Sequence, residues 1–150
     1  MLGFCALDQW VKWLVESSIP LNTSVDIAAP YLLLTHVQNT GIAFSMFNDS
    51  PQLLAWLTTC FFIGFLVYFL RNPMHYNTLL ASLTFPLILG GALGNLIDRH
   101  LRGFVVDYID VAIIQYPVFN LADAFICIGV GLFAFHILFK DNSTTNTHAF

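Results

Sequence analysis

Leu53–Leu70 runs for 18 residues without a charged side chain. As an α-helix rising about 1.5 Å per residue it covers about 27 Å, close to the hydrocarbon thickness of a bilayer. Two further stretches have the same character. Leu79–Ile97 is expected to be broken locally by Pro86, and Phe119–Phe139 follows it. The polar segment Arg71–Asn77, with Pro73, separates the first two of these runs. Charged residues make up only 9% of the chain and hydrophobic ones 57%, whereas soluble domains carry roughly a quarter charged residues. The chain therefore reads as a polytopic membrane protein, and its 150 residues suit a single domain.

The amino-terminal stretch Leu2–Ile19 is apolar but contains Asp8, Lys12 and Glu16. Asp8 and Lys12 are four apart, so a helix places them on one face as a pair. Few residues precede Asp8, and a free amine would fall within hydrocarbon. The expectation is that this first span is incomplete as given and that the natural start lies upstream. A removable signal peptide is not favoured, because no basic region precedes the apolar part. Pro20–Pro51 is mixed in character. Val25–Ala29 and Tyr31–Val37, rich in β-branched and apolar residues and bounded by breakers, read as a small extracytoplasmic β-element. Asp141–Phe150 reads as a frayed polar tail.

Charge gives little help with orientation. Arg71 and Lys140 fall on one side and Arg99 and Arg102 on the other, so the positive-inside count is tied. Assigning Arg99 to a functional motif, and discounting its neighbour, puts the 71–77 turn and the tail in the cytoplasm. Trp10, Trp13 and Trp56 read as interface anchors. Cys5, Cys60 and Cys127 are isolated in apolar stretches and read as buried free thiols, with no spacing for a zinc site or a disulfide framework.

With so few charges, acids next to hydrocarbon are candidates for function. Asp107 stands in Gly103–Asp110, and Asp123 in Phe119–Asp123, which opens the last apolar run. Both are expected at the outer rim of the bundle. Two carboxyl groups at hydrogen-bond range share a proton and titrate as a unit. The ionised member can then take a proton from water while the protonated one polarises a carbonyl. Asp110 competes with Asp107 for this role, and spacing leaves the choice open. Asp123, in a first helical turn, also suits a simple cap. The third apolar run ends in Gly90–Arg99. Gly90 and Gly94 are spaced for close helix approach, and Asn95, Asp98 and Arg99 fall on one face. Asn120 lies three residues before Asp123. Asn39 and Gly41 mark a turn able to hold an extended peptide or merely to close a hairpin, and His36 reads as a surface or satisfied imidazole.

Other chemistries fit poorly. Glu16 is the only glutamate, so a His-Glu-x-x-His zinc site is impossible. There is no Gly-x-Ser-x-Gly elbow near Ser45 or elsewhere, and no basic stripe for nucleic acid. A small proton- or ion-coupled transporter using intramembrane Asp residues is the competing reading. It is disfavoured because the acids cluster at one rim and no internal repeat is visible.

Taken together, Asp8–Lys12, Asn39–Ser45, Gly90–Arg99, Val105–Asp110 and Phe119–Asp123 resemble the motifs of the lipoprotein signal peptidases (signal peptidase II), in the same order and across nearly the whole chain. The resemblance implies four transmembrane helices (spans of about 1–19, 53–70, 79–97 and 119–139) and a small extracytoplasmic β-cradle. It implies an aspartic endopeptidase with Asp107 and Asp123 as catalytic residues. Asn39, Asn95, Arg99 and Asn120 would line the substrate cleft, and Asp8, Lys12, Gly41 and Asp98 would support it. No metal or other cofactor is implied. The implied substrate is a diacylglyceryl-modified prolipoprotein, cut just before the lipidated cysteine, and globomycin-type cyclic peptides would inhibit. A monomer in the bacterial inner membrane, in contact with its lipids and with its active site on the extracytoplasmic face, completes the expectation.

Overall fold

A computed structural model describes residues 1–41, 51–71, 79–114 and 116–140. Four helices dominate: α1 (Leu2–Ser18), α2 (Pro51–Arg71), α3 (Leu79–Leu101) and α4 (Leu121–Lys140). Three strands, β1 (Ser24–Ala28), β2 (Leu32–Asn39) and β3 (Val105–Asp110), form one antiparallel sheet in that order. The 71–77 turn beyond Arg71, residues 42–45 of the Asn39–Ser45 motif and the 141–150 tail lie outside the described residues.

α2 and α4 are apolar all round, and both are long and apolar enough to cross a membrane, over Gln52–Arg71 and Leu121–Leu138. Only 11% of each window is buried inside the protein. Phe61, Leu70, Ile128 and Leu138 are all more than half exposed, an arrangement suited to lipid rather than water. Cys60 and Cys127 belong to these outer faces and are exposed, so only Cys5 is the buried thiol expected from sequence. Hydrophobicity alone does not separate a lipid-facing position from a core one.

α1 inverts the usual amphipathic plan. Its buried positions are Cys5, Asp8, Lys12 and Val15, spaced three and four apart on one face, while Trp10 and Trp13 point outward, 56% and 58% exposed. The charges therefore face the neighbouring helices, as polar groups in membrane proteins do.

Glycines set the helix packing. A Cβ at Gly90 would lie 2.7 Å from the Phe4 Cβ, and one at Gly94 would meet the Asp8 carboxylate. Glu16 pairs with Arg102 further along, so α1 and α3 run parallel. On the other side of α3, a Cβ at Gly91 would meet the Ala122 carbonyl oxygen, and Gly129 sits against Ile88 and Thr84, which makes α4 antiparallel to α3. α2 is also antiparallel to α3. Thr59 reaches His100 at one end, and Phe65 and Phe69 pack on Phe85 towards the other. α3 continues through Pro86 without the expected break and extends past Ile97 to Leu101.

Strands β1 and β2 match the predicted β-element to within a residue or two. β3 was not anticipated from sequence. Its Val-Val-Asp-Tyr-Ile-Asp segment pairs antiparallel with β2, with Asp107 opposite Val37 and Val105 opposite Asn39. Val106 and Tyr108 pack with Val15 and Ile19, seating the sheet on the end of α1. Gly103 makes the turn from α3 into β3 with φ +79°, a left-handed conformation that a Cβ would strain. His36 is buried, not at the surface. Its Nδ1 donates to the Ile19 carbonyl at 2.8 Å, while Nε2 has no hydrogen-bond partner among the described residues.

Gly91→Val should destabilise the bundle by about 1–3 kcal/mol, because the obstructing atom is backbone and cannot rotate away. Gly131→Ala, with open space at its Cβ, should leave stability unchanged or raise it by up to about 1 kcal/mol. Thermal unfolding in detergent measures both, and equal effects would contradict the packing described.

Candidate active site

The polar centre lies where α3 nears its end, α4 begins and β3 passes between them. Lys12 is fully buried and pairs with Asp8 at 2.8 Å and with Asp98 at 2.7 Å. Its third partner is the Asn95 Oδ1, at 2.9 Å. A buried charge is tolerable only when paired and hydrogen-bonded, and this ammonium has two carboxylates in ion-pair contact and one hydrogen bond, to Asn95. Asp8 also accepts the Ala122 N–H at 3.0 Å, so a carboxylate from α1 caps a free amide in the first turn of α4. Gln9 adds hydrogen bonds to the Gly94 carbonyl and to Asp98.

The start of α4 is a capping box. The Asn120 Oδ1 accepts the Asp123 N–H at 3.0 Å, and the Asp123 Oδ2 accepts the Asn120 N–H at 3.2 Å. The cap reading of Asp123 is therefore correct but covers only one of its oxygens. The other, Oδ1, accepts from the Asn95 Nδ2 at 2.8 Å. Tyr108 contributes its hydroxyl as acceptor for the Leu121 N–H, and burial holds that phenol well above its ordinary range.

Asp107 reaches the same centre from β3 and is only 3% exposed. Its Oδ1 accepts from the Asn120 Nδ2 at 2.7 Å and its Oδ2 from the Asn39 Nδ2 at 2.8 Å. Asn120 thus touches both aspartates, through its amide nitrogen and its capping oxygen, and also donates to the Asn95 Oδ1. Burial is the main cause that raises the Asp107 pKa, to about 7. The charge on Asp123 acts in the same direction, while the hydrogen bonds from Asn39 and Asn120 oppose it. Asp110 belongs elsewhere: it accepts from Thr35 at 2.9 Å and pairs opposite Leu33.

The remaining positions picked out from sequence fall around this centre. The Asn39 Oδ1 accepts the Gly41 N–H at 2.9 Å, a local Asx-type turn. The Arg99 Nη2 lies 3.5 Å from the Gly41 carbonyl oxygen. Arg99 does not pair with Asp98, whose charge is taken by Lys12. Among the described residues no group of three or more His, Cys, Asp or Glu side chains is placed to hold a metal ion. Sequence reading passed over Gln9, Tyr108 and Arg102.

A family model described as signal peptidase (SPase) II matches residues 1–139. The chain belongs to the signal peptidase II family. The lipoprotein signal peptidase of Mesorhizobium japonicum is 43% identical over 87% of this chain and 77% of its own length. That of Shouchella clausii is 40% identical over 90% of this chain and 87% of its own. A solved bacterial membrane enzyme, 31% identical, superposes with a TM-score of 0.84 over 99% of this chain and 90% of its own. A second superposes with a TM-score of 0.78 at 32% identity, covering 91% and 88%. A transporter reading finds no support in a family of peptidases.

Asn120→Ala should cost about 1–2 kcal/mol in stability through the lost helix cap. It should also lower peptidase activity far more than that loss explains, since the Asp107 carboxyl loses its Asn120 donor and the amide link to Asn95, which holds Asp123, is broken. Denaturation and turnover measured on one preparation would separate the two effects. A stability loss with unchanged turnover would contradict the bridging role.

Proposed function

We propose that this protein is a membrane aspartic endopeptidase that removes signal peptides from prolipoproteins, with Asp107 and Asp123 as its catalytic pair. Removal of prolipoprotein signal peptides follows from membership in the signal peptidase II family. The observation that carries the catalytic assignment is that two carboxyl groups, from β3 and from the first turn of α4, are tied into one amide network: Asn120 holds Asp107, Asn95 holds Asp123, and Asn120 donates to Asn95. Other membrane acids in the chain are neutralised by cations: Asp8 and Asp98 by Lys12, and Glu16 by Arg102. Asp107 and Asp123 are instead held by neutral amides, which leaves them free to exchange protons.

The chemistry follows from one proton shared by the two. The ionised carboxylate removes a proton from a water molecule, and that oxygen attacks the scissile carbonyl carbon. The protonated carboxyl donates to the carbonyl oxygen as the tetrahedral intermediate forms. Breakdown returns a proton to the leaving amine and restores the pair. Asn39, Asn95, Asn120 and Arg99 line the cleft. Arg99 is suited to a peptide carbonyl or a headgroup, because among the described residues its hydrogen-bond contact is a long one, to Gly41.

On this reading the whole chain is one domain, and all four helices cross the bacterial inner membrane. The sheet and the aspartates lie at the extracytoplasmic face. A substrate carrying a diacylglyceryl-modified cysteine keeps its acyl chains in lipid beside the exposed apolar helix faces, while the peptide lies across the rim. The bond cut is the one before that cysteine, and a single copy of the chain contains every group the mechanism uses.

Asp107→Asn and Asp123→Asn should each abolish cleavage of a lipidated precursor while the protein still inserts. Asp110→Asn should retain turnover, because its carboxylate serves Thr35. A gel-shift assay with purified protein, with globomycin as the inhibited control, reads all three, and wild-type-like turnover by either of the first two would refute the assignment. The pH dependence has a definite sign. Asp107 keeps its proton up to about 7, so the singly protonated pair disappears as pH rises through that value. The rate should therefore fall on the alkaline side near 7, and a profile still rising there would contradict the shared proton.

A further inference from the structure

We propose that Lys12, which lies behind the aspartates and touches neither, is a positioning residue that fixes the Asn95 amide so that Asp123 faces a donor. This inference rests on the peptidase reading above.

An amide side chain has a donor end and an acceptor end of nearly identical shape, and its surroundings decide which way it points. The ammonium of Lys12 can only donate, and it lies 2.9 Å from Asn95. The atom it meets must therefore be the amide oxygen. The Asn95 nitrogen is thereby turned towards the Asp123 Oδ1 at 2.8 Å, where the acceptor is at its best as an ionised carboxylate. The same oxygen of Asn95 takes a hydrogen bond from the Asn120 Nδ2, which is the group that also holds Asp107. Lys12 thus sets the orientation of Asn95, while the Asp123 backbone N–H, donating to the Asn120 Oδ1, sets that of Asn120.

If Lys12 is removed, the shorter of the two bonds that hold this orientation is lost and only the one from Asn120 remains. Asn95 can turn over and present its oxygen to Asp123, a contact that Asp123 keeps only by carrying a proton. The titratable groups facing this cluster are Asp8 from α1, Asp98 and Arg99 from α3, and Asp107 and Tyr108 from β3. Lys12 is flanked by two of these acids, so the triad is not a net positive charge. Donor direction, rather than long-range attraction, is what it supplies to Asp123.

The test is the pH–rate profile of purified full-length protein in lipid with a lipidated precursor. Lys12→Met should lower kcat by on the order of 10²-fold with little change in KM, and should move the acidic limb of the profile to higher pH. Asn95→Leu should move the same limb, and the double variant should move it no further than either single change. Lys12→Arg, still donor-only, should hold the limb near its wild-type position. Where Lys12→Met fails to insert, Lys12→Met with Asp98→Asn relieves one of the two carboxylates left without their cation and carries the same expectation. A rate reduced by one factor at every pH, with the limb unmoved, would make Lys12 merely structural and overturn the proposal. Full turnover by Asp107→Asn and Asp123→Asn would instead sink the peptidase reading itself, whatever Lys12 does.

Discussion

The structure depends on one buried cation. Lys12 has no exposed surface and holds Asp8 on its own helix and Asp98 on α3. Removing one partner from such a cluster costs about 3–5 kcal/mol, because a charge is left without a counter-ion. Asp8 carries the connection onward to the Ala122 amide of α4. The glycines at 90, 91 and 94 let the three backbones come close enough for these short contacts. Packing and electrostatics are thus a single device: the small residues bring α1 and α4 against α3, and the charges fix how they meet.

The proposed catalytic pair sits beside that device and is built on a different principle. Among the described residues, Asp107 and Asp123 receive amide donors and no direct counter-ion. Amides orient a carboxylate without fixing its charge as firmly as an ammonium would. Burial and mutual repulsion then raise Asp107 into the neutral range, where a carboxyl can both give and take a proton. The same acids paired with Lys12 would be stable but chemically inert. What separates a structural acid from a reactive one in this chain is the identity of its nearest donor.

Much of this was legible in the sequence. Long apolar runs located α2, α3 and α4, and the spacing of Asp8 and Lys12 correctly placed them on one face as a pair. The five motif segments pointed to the family. What the sequence hid were contacts between elements. Nothing in local spacing shows that Lys12 takes Asp98 as its second partner, or that Asp110 belongs to Thr35. β3 is not legible locally, because Val105–Asp110 has no apolar–polar alternation and is buried on both faces over its first four residues, a strand only with β2 alongside. Cys60 and Cys127 were misplaced because lipid accepts the same side chains as a protein core. Pro86 was overweighted as a breaker, since a helix held by neighbours on several sides tolerates a missing hydrogen bond.

The central claim, that Asp107 and Asp123 hold a proton jointly, is tested most directly by following their carboxyl carbons. Titration of ¹³C-aspartate-labelled protein by NMR, with single Asp→Asn variants for assignment, reads the charge on each. The account predicts that Asp107 titrates near 7 rather than near the ordinary 3.8, and that the Asp123 signal responds as it does so. Two independent titrations at ordinary carboxylate values, with no response of one signal to the other, would contradict it.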